Sequence, residues 1–171
     1  MHKDTIAGMW DSLRQIHGIT LRAVQALPKD RIDARPIPAM RSPKELVAHM
    51  YTMMRDVTGG VVNGQFTSDE AAEKGAGLRT HDDLVRYVQD CWSASDRAVG
   101  AAGEAQLAGM VKTPWGADYP GFVCIHIVYD EHLHHRGQLY AFLRSFGVEP
   151  PFLWDFENNA PEFRPRAAQK A

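Results

Sequence analysis

His126-Ile127-Val128-Tyr129-Asp130-Glu131-His132-Leu133-His134-His135-Arg136-Gly137-Gln138 places half of the chain's eight histidines in one strongly helical stretch. Imidazole is the commonest side chain for metal binding and for proton transfer near neutral pH, so this density asks for a chemical reason. On a helix, positions i and i+4 project from one face about 6 Å apart along the axis. Glu131 and His135 therefore point the same way, and a single ion fits between them. His132 aligns with His135 less well, at i+3, and His134 is turned about 100° away. His132, His134 and His135 together span too much of the circumference to face inward at once. At least one of them is solvated or makes a dimer contact.

Outward from this stretch, the helix is bounded by Pro120 on one side and by Phe146-Gly147 on the other, with Pro150-Pro151 beyond. Three more long helices precede it. From about Thr5 to Leu27, Ile6, Met9, Trp10, Leu13, Ile16, Leu21 and Val24 keep roughly helical spacing until Pro28 ends the run. A loop bearing Pro36 and Pro38 follows. Ser42-Pro43-Lys44-Glu45 then marks a helix start: Ser42 caps, Pro43 suits the first helical position and Glu45 completes a capping box. That helix runs to about Asn63-Gly64, with Leu46, Met50, Met53 and Val57 inward. Residues 65–78 are polar and Gly-bearing, and read as a connection with one short helical turn. Thr80 and Asp83 open a third helix with Leu84, Val88, Trp92 and Val99 as its stripe, closed by Gly100 and Gly103. Residues 104–119 read as a loop around Pro114-Trp115-Gly116. Strand signals are almost absent. The expected architecture is all-α: a four-helix bundle with long connections, a single domain over 1–160, and a flexible tail over 161–171.

A chain of 171 residues, 44% hydrophobic and 23% charged, suits one domain with a sizeable core. The net charge of -2 and the lack of a Lys/Arg block give no electrostatic reason to expect nucleic acid as a partner. Cys91 and Cys124 lie in apolar helical surroundings and read as buried thiols of a reducing compartment, not as a disulfide or a zinc knuckle. Met1-His2-Lys3-Asp4-Thr5 leads into an amphipathic helix without a signal-peptide run, and no segment approaches transmembrane length. The expectation is a cytoplasmic protein with no membrane partner.

Two side chains on one helix rarely hold a metal unaided. The second helix offers His49, one turn after Glu45 and one turn before Met53, at the edge of the apolar stripe. His49, Glu131 and His135 would give three N/O ligands with room left for water or substrate, the pattern of an open catalytic site. Such donors suit Zn, Ni, Fe or Mn. The plainer alternative makes His49 an ordinary hydrogen-bonded residue. His2, His17 and His81 read as surface residues, and His126 as lining a groove or packing on the first helix. Trp10, Tyr129, Trp115, Phe152 and Trp154 are candidates for an apolar pocket wall, Trp10 fitting the core better. Gly137 reads as permitting a close helix approach, and Arg136 as an ion-pair partner of Asp130 or of a neighbouring helix.

The run His134-His135-Arg136-Gly137-Gln138-Leu139-Tyr140-Ala141-Phe142-Leu143-Arg144, followed by Phe146-Gly147-Val148-Glu149-Pro150-Pro151, resembles the C-terminal signature of the DinB-like superfamily. Leu46-Val47-Ala48-His49-Met50 matches that family's second-helix histidine. The resemblance implies a four-helix bundle of unusual connectivity, often dimeric. It also implies a divalent-metal site made from one histidine of the second helix and two, four apart, of the last. Carried over by position, these fall on His49, on His135 and on position 131, where this chain has Glu131 followed by His132. A carboxylate can replace imidazole there; otherwise His132 takes over with altered geometry, or the metal is lost. Gln138 becomes a candidate to support a ligand.

Known relatives include S-transferases using low-molecular-weight thiols such as bacillithiol, and mycothiol-dependent isomerases. The implied function is a divalent-metal-dependent enzyme, a thiol-dependent S-transferase or detoxification enzyme acting on a small electrophile, working as a homodimer. A noncatalytic stress-associated or small-ligand-binding bundle competes with it, and Glu131 at an expected histidine is its best support. Direct DNA binding, suggested only by the family's association with DNA damage, is opposed by the charge balance.

Overall fold

The computed structural model describes residues 3–165. Helices α1 (Lys3–Gln25) and α2 (Pro43–Asn63) are followed by a one-turn helix α3 (Glu70–Glu73) and by α4 (His81–Ala101). A short α5 (Glu104–Ala108), strands β1 (Met110–Val111) and β2 (Tyr119–Pro120), α6 (Gly121–Ser145) and a 3-10 turn at Pro161–Phe163 complete the chain. Both α1 and α2 pack on α4 and on α6. Consecutive helices α1 and α2 thus face each other across the diagonal of the bundle, which the long connection between them allows. No helix among the described residues is long and apolar enough to cross a membrane.

The helix starts follow from local chemistry. Ser42 Oγ accepts from Glu45 N at 3.3 Å while Ser42 N donates to Glu45 Oε2 at 2.8 Å, and Gly64 ends α2 in the left-handed conformation at φ 76°. Thr80 and Asp83 make the same reciprocal pair at the start of α4, at 3.1 and 2.9 Å. Each cap satisfies backbone N–H groups that the helix cannot, a contribution of about 1 kcal/mol.

Residues 104–119 are more ordered than the expected loop. Leu107 on α5 and Val111 on β1 are buried, and β1 pairs antiparallel with β2, Met110 opposite Pro120 and Val111 opposite Tyr119. Two-residue strands are too short to show an alternating pattern, so nothing in their periodicity announces them. At the following helix start a Cβ on Gly121 would strike the Gln106 carbonyl and lie 2.9 Å from Val61 Cγ1. Glycine lets α6 begin against α5 there.

Two histidines expected at the surface are in the core. His17 is fully buried, with Nδ1 2.8 Å from the Tyr51 hydroxyl and its ring stacked on Trp92 at 4.2 Å. His81 is buried at the start of α4, its Nε2 2.9 Å from the Val24 carbonyl. His17 lies one turn after Leu13 and one turn before Leu21, on the stripe that the apolar residues define. Spacing placed it inward; its polar type argued outward, and spacing won. His2 falls outside the described residues. His126 is exposed and faces Asp130 at 3.8 Å.

Gly137 also departs from its expected role, since a Cβ there would meet nothing within 4 Å. Among the described residues no other helix comes within 4 Å of that position. Arg136 does not pair with Asp130; it lies beside Tyr140 and Tyr129, and burial lowers its pKa. The start of the expected tail packs on α1: Arg14 donates to the Glu162 carbonyl and, at 3.2 Å, to that of Arg164, while Phe163 meets His17 edge-on at 4.8 Å. Residues 166–171 lie outside the described part.

Candidate metal centre

The packing of α2 against α6 brings His49 to Glu131 and His135. One donor atom from each of the three lies within 4.8 Å of the others, and the His49 and His135 rings are 5.0 Å apart, nearly perpendicular. Glu131 and His135 share a helix face as their spacing requires, with Oε2 and Nε2 3.0 Å apart. His135 is buried, whereas His49 and Glu131 are half-buried at the edge of a cleft.

Each neighbour bears on which ring nitrogen is free. Gln138 Nε2 lies 3.1 Å from His134 Nε2, so the Gln138 amide donates there and turns its Oε1 toward His135 Nδ1 at 2.9 Å. His135 Nδ1–H donates to that oxygen, and Nε2 is left facing Glu131. Burial holds His49 down to about 4, helped by the nearby Arg41 and His135 and opposed by Glu131. It is therefore neutral at pH 7, with a lone pair that needs no proton displaced before it can ligate.

His132, the alternative ligand, faces elsewhere. Thr20 Oγ1 donates to the Ile16 carbonyl at 3.0 Å, so its contact with His132 Nε2 at 2.9 Å requires that nitrogen to carry the proton. The His132 ring packs edge-on to Tyr51 in the core, and burial, with Arg136 and His135, lowers its pKa to about 3.

The donor set suits a divalent cation, with His49 closing in from within 4.8 Å of the other two. Nitrogen and oxygen ligands about 2.0–2.1 Å from one tetrahedral ion stand about 3.3 Å apart, so Glu131 and His135 need part by only about 0.3 Å. The donor set is N, O, N with no thiolate, which suits borderline first-row metals. The His49 Nδ1 atom is buried without a hydrogen-bond partner.

Beside the triad lies a cleft of about 610 Å³. Met53, Phe66, Pro114, Trp115, Tyr119 and Ile127 give it an apolar wall, and Glu70, Glu73 and Lys74 form its polar rim on and next to α3. Of the aromatic candidates only Trp115 lines it, tilted on Phe66 with ring centroids 5.3 Å apart. Phe152 and Trp154 are 70% and 68% exposed, away from the cleft. Trp10 is core, stacked on Trp92. Phe66, Tyr119 and Glu73 were not foreseen, because the connections that carry them have no period from which an inward face could be read.

A family model of the DinB superfamily matches residues 12–139 of this chain. The chain belongs to the DinB superfamily. A solved structure of a DinB-like protein from Bacillus subtilis shares the fold, with a TM-score of 0.66 at 20% sequence identity, over 81% of this chain and 92% of that one. No curated protein matches the chain.

Proposed function

We propose that His49, Glu131 and His135 hold a divalent metal ion, Zn, Ni, Fe or Mn, and that the protein is a metal-dependent enzyme joining a small thiol to a small apolar electrophile. The observation that carries this is the convergence of three N/O donors from two helices at the edge of an apolar cleft. A divalent cation there would supply Lewis acidity, lowering the pKa of a thiol or water. Gln138 holds the proton on His135 Nδ1 and so keeps Nε2 turned to the site. Trp115, Phe66 and Met53 bind the apolar body of the substrate and displace water from it. The chain's own cysteines do not supply the thiol: both are buried, and burial pushes Cys91 up to about 11. A thiol at such a pKa is inert at neutral pH, so the nucleophile is a separate small molecule.

A second reading has its own observation. Glu131 Oε2 and His135 Nε2 stand 3.0 Å apart, an ion-pair distance that a noncatalytic ligand-binding bundle would also keep. Metal content decides between them, measured on untagged protein beside His49→Ala. Near-stoichiometric metal that disappears in the variant supports the enzyme; no uptake after reconstitution with Zn, Ni, Mn and Fe refutes it. Thiol dependence is then screened with generic electrophiles. Self-association into the expected homodimer has exposed apolar surface available at Phe152, Leu153 and Trp154, and sedimentation at several concentrations tests it.

A further inference from the structure

The two histidines of the triad are supported unequally. His135 has its Nδ1 engaged by Gln138 at 2.9 Å, which leaves Nε2 for the site. His49 has a buried Nδ1 with no hydrogen-bond partner. Glu73 on α3 holds an acceptor close by, its Oε2 3.7 Å from that nitrogen, too far for a hydrogen bond. The Glu73 side chain is only 22% exposed although it sits on a one-turn helix in a connection.

That helix is held against α2 close to His49. The turn after it passes through Gly75 at φ 69°, where a Cβ would lie 3.3 Å from Lys44 and 3.5 Å from Ala48, the residue before His49. Asp69 caps α3 by accepting from Ala72 N at 3.0 Å. The carboxylate is therefore held beside His49, and the gap that remains to hydrogen-bond length is about 0.7 Å.

We propose that Glu73 is the positioning residue of His49: its carboxylate accepts the His49 Nδ1–H and turns Nε2 of that ring toward Glu131 and His135. Both histidines would then follow one rule, with Nδ1 tied to a side-chain oxygen and Nε2 presented to the ion. Partners of this kind fix the tautomer and orientation of a ligating ring, and their loss typically weakens metal binding 10–100-fold. The inference rests on the metal site proposed above, but the hydrogen bond itself is present or absent without any metal.

The experiment has two arms. In metal-free protein, long-range nitrogen–proton NMR correlations identify the tautomer of His49. The wild type should be Nδ1–H, Glu73→Gln should keep that tautomer through its amide oxygen, and Glu73→Ala should shift it toward Nε2–H. In the second arm, zinc affinity by chelator competition should fall about 10–100-fold in Glu73→Ala and much less in Glu73→Gln. An unchanged tautomer in Glu73→Ala overturns the proposal even if zinc binds. Equal losses of affinity in both variants, with a lowered melting temperature, assign Glu73 a merely structural role and also overturn it. A tautomer switch in a protein that takes up no zinc supports the Glu73–His49 bond and refutes the metal site instead.

Discussion

Gly137→Ala should stabilise the protein. Gly137 lies in the interior of α6, is exposed, and offers open space to a Cβ. Its φ is not among the positive values, so alanine fits the backbone without strain. Glycine in a helix interior is about 0.8–1.0 kcal/mol less favourable than alanine, largely because it loses more backbone freedom on folding. With nothing to clash against, most of that difference is recovered. The gain expected is about 0.5–1 kcal/mol, or about 1–4 °C in Tm for a chain of this size. Urea denaturation should show a higher midpoint with unchanged slope, since the surface exposed on unfolding is the same. A lower midpoint would refute the reasoning, and a loss that grows as protein concentration rises would mean that Gly137 is covered by another copy of the chain.

Stability should also fall with acid. His17 and His132 are buried and held well below the ordinary histidine range, so the unfolded chain binds protons that the native core rejects. Their contribution is complete above about pH 6.5 and is lost as pH falls toward the native values. With His132 at about 3, that group alone removes about 2 kcal/mol by pH 5, and a Tm that stays level from pH 7.5 to 5 would contradict it. Gly121→Ala should destabilise by about 1–3 kcal/mol, because its Cβ meets the Gln106 backbone and cannot be relieved by a rotamer change. An unchanged urea midpoint would show that α5 yields freely.

The sequence was most readable where chemistry is local. Ser42 with Glu45, and Thr80 with Asp83, specify two helix starts within four residues each, and both caps are present. The same holds for Glu131 and His135, whose shared face follows from helical geometry alone. His49 was harder, because its relation to α6 is a matter of tertiary packing: its place at the edge of the apolar stripe made it a candidate third ligand, and the family resemblance singled it out. Glu73 was out of reach: its approach to His49 depends on how one polar connection folds back on α2. His17 failed for the opposite reason. Its position on the Leu13–Leu21 stripe was visible, but a histidine in a dry core requires partners, and Tyr51 comes from a helix that sequence alone does not place beside it.

His132 and Glu131 compete for the same role in the sequence, and Thr20 separates them experimentally. Thr20 is fully buried and its hydroxyl is committed to the Ile16 carbonyl, so it serves His132 as an acceptor. Thr20→Val keeps the shape and removes that acceptor, leaving the His132 Nε2–H buried without a partner. The cost expected is about 1–3 kcal/mol, seen as a lower urea midpoint. Zinc affinity at a temperature where the variant stays folded should not change, because His132 contributes no donor to the site. Glu131→Gln should do the reverse: Glu131 is 42% exposed on its side chain, so stability changes little, while zinc binding drops with the loss of the only anionic ligand of the three. If Thr20→Val weakened zinc binding and Glu131→Gln did not, His132 would be the ligand and the ring would have to leave the core to reach the ion. That movement would break its bond to Thr20 and its packing on Tyr51 in a single step, and this cost would be subtracted from the zinc affinity, so loading through His132 should raise the melting temperature less than loading through Glu131.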